Sequence, residues 1–264
     1  MHVYIYDSFV NHKKYNNILA RIETRLTDLG LNGKICRLGA MKNIREMVKS
    51  ELSRGAKTIV AVGNDQTVSQ VLNALAQSTD PAPYQKTLNP TPPMGIIPVN
   101  GENNSIAAAL GIGPGEEACE TLSARRVEKL DLGMANDAYF LSTASITNQG
   151  TVVTIKNYSV ELLEEGEINI INLPPKEMVL PREAIFNPQD GFLDLLIQTK
   201  KNKKRLFAGA QEMSQSVFPV TLLSLSNDRG RPLLLDGSLE VRSPAEIKLI
   251  KKKLNIIVGK ERNF

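Results

Sequence analysis

The stretch Thr58-Ile59-Val60-Ala61-Val62-Gly63-Asn64-Asp65-Gln66-Thr67-Val68-Ser69-Gln70-Val71-Leu72-Asn73-Ala74-Leu75 decides the fold. Residues 58–62 form a short apolar run rich in β-branched side chains, which reads as a buried strand. Val68, Val71, Leu72 and Leu75 recur at helical spacing, so a helix begins directly after the polar turn at 63–67. A turn that leads a buried strand into a helix stands at the carboxyl end of a parallel sheet. Unpaired amides and the positive end of the helix dipole gather there, which suits a phosphate group. Asp65, at the same point, either helps to hold a magnesium ion or caps the helix with its carboxylate.

The alternation extends to both sides of this unit. Residues 3–6 read as a first strand. Ile18, Leu19, Ile22, Leu26 and Leu29 then form one apolar stripe at helical spacing over residues 16–29, with Gly30 as a suitable stop. Residues 34–37 make a short strand. Residues 42–54 make a second helix that faces inward with Ile44, Met47, Val48 and Leu52 and closes at Gly55. Downstream, residues 94–99 form another buried strand, followed by a polar turn at 100–105 and a helix carrying Ile106, Ala107 and Leu110 up to Gly111. This order predicts a parallel sheet covered by helices. The turns at 63–67 and 100–104 are expected side by side at the carboxyl ends of neighbouring strands. Residues 78–93, rich in proline and polar side chains, read as a surface loop.

After about residue 128 the pattern changes. Strand-like stretches follow at 127–133, 138–146, 151–157, 159–163, 167–173, 192–198, 218–226, 233–235, 239–241, 247–250 and 254–258, with helical periodicity only at 204–213. The chain is therefore expected to hold an α/β nucleotide-binding domain over 1–128 and an all-β sandwich domain over 129–264.

With 264 residues, 42% hydrophobic and 23% charged, the composition is that of a soluble globular protein, and no apolar run is long enough to span a bilayer. The start, Met1-His2-Val3-Tyr4-Ile5-Tyr6-Asp7, reads as a strand and not as a signal peptide. A cytoplasmic location is expected, with peripheral membrane contact as an option. His2 and His12 are the only histidines, and Cys36 and Cys119 stand far apart. A histidine base, a His-ligated zinc and a disulfide framework are all disfavoured. The net charge is +4, and basic residues cluster at Lys200, Lys201, Lys203, Lys204 and Arg205 and again at Lys251, Lys252 and Lys253. These runs read either as a solvated turn and strand edge or as a surface drawn to anionic lipid headgroups at up to ~1 kcal/mol per basic residue. Nucleic acid is not an expected partner, since no aromatics interleave with the lysines.

Five short motifs occur in order. They are Gly63-Asn64-Asp65-Gln66-Thr67; the turn from Pro98 to Asn103; and Leu130-Asp131-Leu132-Gly133 with Tyr139-Phe140-Leu141-Ser142-Thr143-Ala144-Ser145. Asn187-Pro188-Gln189-Asp190-Gly191-Phe192-Leu193-Asp194 and Leu235-Asp236-Gly237-Ser238 complete the set. On this element order they resemble the diacylglycerol kinase catalytic-domain family, which includes sphingosine and ceramide kinases and is distantly similar to the NAD kinases. The first resembles the family's Gly-Gly-Asp-Gly-Thr loop, with Asn64 and Gln66 in place of two glycines. The second resembles Pro-Leu-Gly-Thr-Gly-Asn-Asp, from which Asn100, Gly101, Glu102 and Asn104 depart. The last two resemble Asp-Gly-Leu-Leu-Asp and Asp-Gly-Glu, the latter with Ser238 for glutamate.

The resemblance implies ATP-dependent phosphorylation of a lipid hydroxyl, with magnesium, at a site between the two domains. Gly63, Asn64, Asp65, Gln66, Thr67 and Asn103 would bind the nucleotide, Asp65 would stand near the metal, and Asp236 would be the general base. Asp190 would be a ligand of a structural ion or only a turn residue, and Asp236 has the same plain alternative as a tight-turn residue. Gln66 at a glycine position is expected to strain a left-handed turn by ~1–2 kcal/mol. Glu102 would place negative charge where the second turn meets nucleotide. Expected partners are a lipid substrate or an anionic membrane surface, met transiently, with a homodimer as a further option. Two other readings stay open: a relative that binds nucleotide, lipid or protein without phosphoryl transfer, and a kinase of a soluble small molecule.

Overall fold

The computed structural model describes residues 1–39, 43–78, 91–99, 103–147, 150–161, 166–200 and 213–264. Most of the 78–93 loop, the positions Asn100, Gly101 and Glu102, the basic residues from Lys201 to Arg205 and nearly all of the helix expected at 204–213 lie outside the described residues. The first half contains β1 (His2–Tyr6), α1 (Asn16–Asp28), β2 (Gly33–Arg37), α2 (Ile44–Ser53), β3 (Thr58–Gly63), α3 (Asp65–Ser78), β4 (Met94–Pro98), α4 (Ser105–Ala109) and α5 (Glu116–Ala124). Among the described residues the remaining elements are strands. They are β5 (Val127–Ala135), β6 (Ala138–Phe140), β7 (Thr143–Thr147), β8 (Thr151–Ile155), β9 (Tyr158–Glu161) and β10 (Gly166–Ile171). Next come β11 (Leu193–Lys200), β12 (Met213–Val220), β13 (Leu222–Asn227), β14 (Leu233–Leu235), β15 (Leu239–Val241) and β16 (Ala245–Ile257). The chain divides into two compact units, one comprising Met1–Leu130, Pro175–Glu177 and Lys252–Phe264, the other Asp131–Pro174 and Met178–Lys251.

In the first unit the strands run parallel in the order β2-β1-β3-β4. Val3, Ile5, Ile59 and Ala61 have no exposed surface, as expected for parallel strands covered on both faces. The stripe on α1 is buried through Leu19, Ile22 and Leu26. Helix α1 packs on α5, and α2 on α3. Because β1 has β2 on one side and β3 on the other, the chain leaves β1 and β3 in opposite directions, and a crevice forms at their carboxyl ends.

The sequence pattern assigned everything after residue 128 to one β domain, yet Lys252–Phe264 belong to the first unit. Ile256 lies beside Met94 in parallel, Gly259 N donates to Leu110 O at 2.9 Å, and Asn263 N donates to Ala109 O at 3.0 Å. A Cβ on Gly259 would fall 1.7 Å from Gly111 O, so only glycine allows this approach. Periodicity marks a strand but not its partner, which is why this return was invisible locally. Helix α5 was also not anticipated. It buries only Ala118, Cys119 and Leu122, a stripe too short to stand out.

The second unit contains a six-stranded antiparallel sheet in the order β12-β11-β10-β7-β14-β15. Opposite it, β13 lies between β8 and the first part of β16, and β8 pairs with β9. One apolar core joins Ile168, Ile170, Leu195 and Leu235 from the first sheet to Val153, Leu223, Leu225 and Ile247 from the second. That arrangement is the expected sandwich. Strand β13 alternates exposed and buried residues in strict period two. The expected strand at 138–146 is broken at Leu141 and Ser142 into β6 and β7, and the expected strands at 247–250 and 254–258 are joined in β16 (Ala245–Ile257), with a left-handed residue, Lys252 (φ 48°), inside it. Among the described residues no helix is long and apolar enough to cross a membrane.

Candidate functional site

The two turns are neighbours. Gly63 at the end of β3 faces Pro98 at the end of β4, Val99 N donates to Gly63 O at 3.1 Å, and Asp65 N donates to Asn103 O at 2.8 Å. A Cβ on Gly63 would lie 2.1 Å from Thr67 Oγ1, so glycine is required for strand and helix to meet this closely. Asn64 and Thr67 cap α3 reciprocally: Asn64 Oδ1 accepts from Thr67 N at 3.2 Å, and Asn64 N donates to Thr67 Oγ1 at 3.2 Å. The Thr67 hydroxyl then donates to Asp7 Oδ2 at 2.7 Å. Asp7 directly follows β1, and its other oxygen accepts from Phe9 N at 3.1 Å. Sequence reading missed Asp7; its signal was an acidic residue directly after the first strand, at the crevice edge.

Asp65 is buried, and its carboxylate is engaged on both oxygens. Oδ2 accepts from Ser105 N and Ser105 Oγ, each at 2.7 Å, and Oδ1 accepts from Ile106 N at 3.1 Å. It therefore caps α4, the helix of the second turn, while its own amide bonds Asn103, which adopts a left-handed conformation (φ 55°). Burial pushes its carboxyl above the ordinary range, and the bonds from Ser105 and Ile106 oppose that shift. The amides of Asn64, Asp65 and Thr67 thus already have acceptors. Gln66 differs from its expectation. It is an exposed residue of the first turn of α3, and neither it nor Asn64 has positive φ. No left-handed turn exists at this position to be strained.

Asp236 sits on the β14–β15 hairpin, where it and Gly237 both have positive φ (47° and 67°) and Ser238 N donates to Leu235 O at 2.9 Å. This is the turn alternative, of the type that matches strand twist. Its buried carboxylate accepts from Leu141 N at 3.0 Å, Ser142 N at 2.7 Å and Thr143 N at 3.2 Å. Those three amides come from the break between β6 and β7. Both oxygens of this carboxylate are thus engaged by backbone donors. Asp190 is a turn residue whose Oδ1 accepts from Phe192 N at 2.9 Å. The following Gly191 N donates to the buried Asp131 Oδ2 at 2.9 Å. Asp194, on β11, has its carboxyl raised to about 6, first by burial and then by the charge of Asp190. Among the described residues no three acidic, histidine or cysteine side chains are grouped as a metal would need.

Residues 2–135 match the diacylglycerol kinase catalytic domain family. An uncharacterized protein of Synechocystis sp. is 24% identical over 84% of this chain and 60% of its own length. A diacylglycerol kinase of Bacillus subtilis is 27% identical over 53% of this chain and 43% of its own length. The chain thus spans about two fifths to three fifths of the length of these curated relatives. Among solved structures, a diacylglycerol kinase from Bacillus anthracis superposes with a TM-score of 0.73 at 17% identity, covering 98% of this chain and 97% of that one. A second structure from the same organism gives a TM-score of 0.75 at 18% identity over the same shares. These likenesses carry the fold, and the family match spans half of the chain. The chain belongs to the diacylglycerol kinase catalytic domain family.

Proposed function

We propose that this protein is a kinase-like phosphotransferase that moves a phosphoryl group from ATP to a lipid hydroxyl. One observation carries the reading beyond family membership: two strand–turn–helix units end side by side at the carboxyl edge of the parallel sheet, tied through Asp65. Ligands of open α/β sheets bind in the crevice outside the carboxyl ends of the strands, where the strand order reverses. Phosphoryl transfer through a loose transition state needs mainly positioning and charge stabilisation, so few reacting side chains are required. Magnesium would arrive with the nucleotide and be held chiefly by phosphate oxygens and water, as this hard cation usually is. We assign Asp65 to joining the turns and Asp236 to fixing its hairpin, in place of the metal and base roles that their motifs suggest.

The test is a thermal-shift titration with ATP, with and without magnesium, followed by labelled ATP offered to diacylglycerol vesicles and to soluble alcohols. A magnesium-dependent rise in melting temperature with label appearing in the lipid is the expected result. Binding without transfer to any acceptor would leave a nucleotide-binding relative. Label in a soluble acceptor alone would replace the lipid by a small molecule.

A further inference from the structure

The strand orders of the two sheets end on β2, β9, β12 and β15. Three of these ends are guarded: β2, β9 and β15 have five residues or fewer, and each carries a charged side chain. Strand β12 has eight residues and no charged side chain. Among the described residues its backbone pairs only with β11, so one row of its N–H and C=O groups lies open to a further strand. Leu193, Leu195 and Val220 face the sandwich core, so Asp194 on β11 and its neighbour Pro219 on β12 face outward. On that outer face a cleft of about 460 Å³ lies over β12, with Gln215, Val217 and Pro219 in its lining. Leu196 of β11, level with Val217, is already buried with Phe186 and Ala184, so the open part lies on the β12 side. Three carboxylates line the cleft, Glu183, Asp190 and Asp194, and among the described residues no lysine, arginine or histidine does. Glu183 and Asp194 have no hydrogen bond or ion pair among the described residues, and Asp190 accepts only from Phe192 N. Lys251 stands behind Gly191, outside the lining.

We propose that β12 and this cleft dock an extended segment of a partner protein, which adds a strand to the sheet and lays a lysine or arginine side chain over Glu183, Asp190 and Asp194. An added strand runs about 5 Å from β12 and alternates its side chains between the two faces. Every second side chain then stands beside Gln215, Val217 or Pro219, at the cleft. Main-chain bonds supply the affinity of such docking, and the cleft supplies its choice of side chain. The stem of a lysine or arginine covers Ile185 and Phe192, which are 88% and 46% exposed, while its head meets the carboxylates. A second copy of this chain pairing through β12 would bring no cation to the cleft, since that strand has none.

Fluorescence anisotropy of the full chain with a labelled peptide, Thr-Val-Lys-Val-Lys-Val-Thr, tests this. The controls are the same peptide with glutamate for lysine, and two versions N-methylated on one or the other set of alternate amides. The lysine peptide should bind at least about tenfold tighter than the glutamate peptide. With a net charge of +4 on the chain, unspecific attraction would favour the glutamate peptide instead. Glu183→Gln combined with Asp194→Asn should bring the two peptides within about twofold. One N-methylated version should lose binding and the other keep it, because only one edge of the peptide meets β12. Equal binding of the lysine and glutamate peptides, a lysine advantage that survives the double variant, or full binding of both N-methylated versions would overturn the proposal. A dimer of the chain in sedimentation that excludes the lysine peptide would give the edge to a second copy and overturn it too.

Discussion

Asp65 in the first unit and Asp236 in the second follow the same plan in different surroundings. Each stands in a polar turn after an apolar strand, is buried, and accepts three hydrogen bonds from a segment distant in sequence. The donors differ. Asp65 takes the first amides of a helix and a hydroxyl, so it fixes a helix end that faces a candidate anion site. Asp236 takes three consecutive amides where one strand breaks into two, so it fixes a corner of the sandwich. An acidic residue in a kinase-like motif is thus not evidence of chemistry until its oxygens are counted. In one turn the bonds hold the start of a helix, and in the other they hold a corner between two strands.

The largest expected effect is at Asp236. Asp236→Ala leaves three buried amides without acceptors and should lower unfolding free energy by about 3 kcal/mol or more, read by urea denaturation. Near-normal stability with turnover abolished would return Asp236 to the role of base. Asp65→Ala should remove about 2 kcal/mol, the cost of a lost cap and its charge-assisted bonds, and weaken ATP binding as well. In Asp65→Asn, if the residue only joins the turns, the magnesium dependence of ATP binding persists; its disappearance would show that the carboxylate serves the metal.

Asp194 supplies a contrast within the second unit, a carboxylate raised by burial and by Asp190 to about 6. Its folded value lies above its unfolded value near 4, so the folded chain binds the proton more tightly. Its contribution is therefore full below about pH 4 and is lost as pH rises through about 6, with roughly 1 kcal/mol of stability lost after allowing for partial exposure. Asp194→Asn should flatten that part of a stability–pH profile, and an unchanged slope would place the titrating group elsewhere. The smallest effect is at Gln66. Since it is an ordinary first-turn helical residue, Gln66→Gly should destabilise by about 0.5–1 kcal/mol, where relief of a strained turn would have stabilised. A gain in melting temperature would reverse this view of the loop.

Apart from α5, the strands and helices in the first half of the chain were legible because burial on both faces forces continuous apolar runs and one-sided burial forces helical stripes. The adjacency of the two turns followed from the same alternation. Three things were not legible. The hydrogen bonds that Asp65 accepts from Ser105 and Asp236 accepts from Leu141, Ser142 and Thr143 span 40 or more residues, and no local pattern records them. The conformation of Gln66 was inferred from glycines in related loops, whereas here Asn64 and Thr67 close the turn with side chains and leave Gln66 inside the helix. The return of Ile256 to the side of Met94 depends on strand order, which no local pattern records.

That order of strands also has a consequence for how the chain is made. Helix α4 closes the second turn, and its far end is bonded by Gly259 and Asn263, residues synthesised only after the entire sandwich unit. A ribosome therefore emits the β2-β1-β3-β4 sheet early but withholds the segment that seats against Leu110 and Ala109. The β unit, whose residues are contiguous in time apart from a short strap, can complete its core first, although amino-terminal domains usually lead. The edge beside β4 stays open until Ile256 arrives, and a nascent chain would have to keep that edge from pairing with a neighbour.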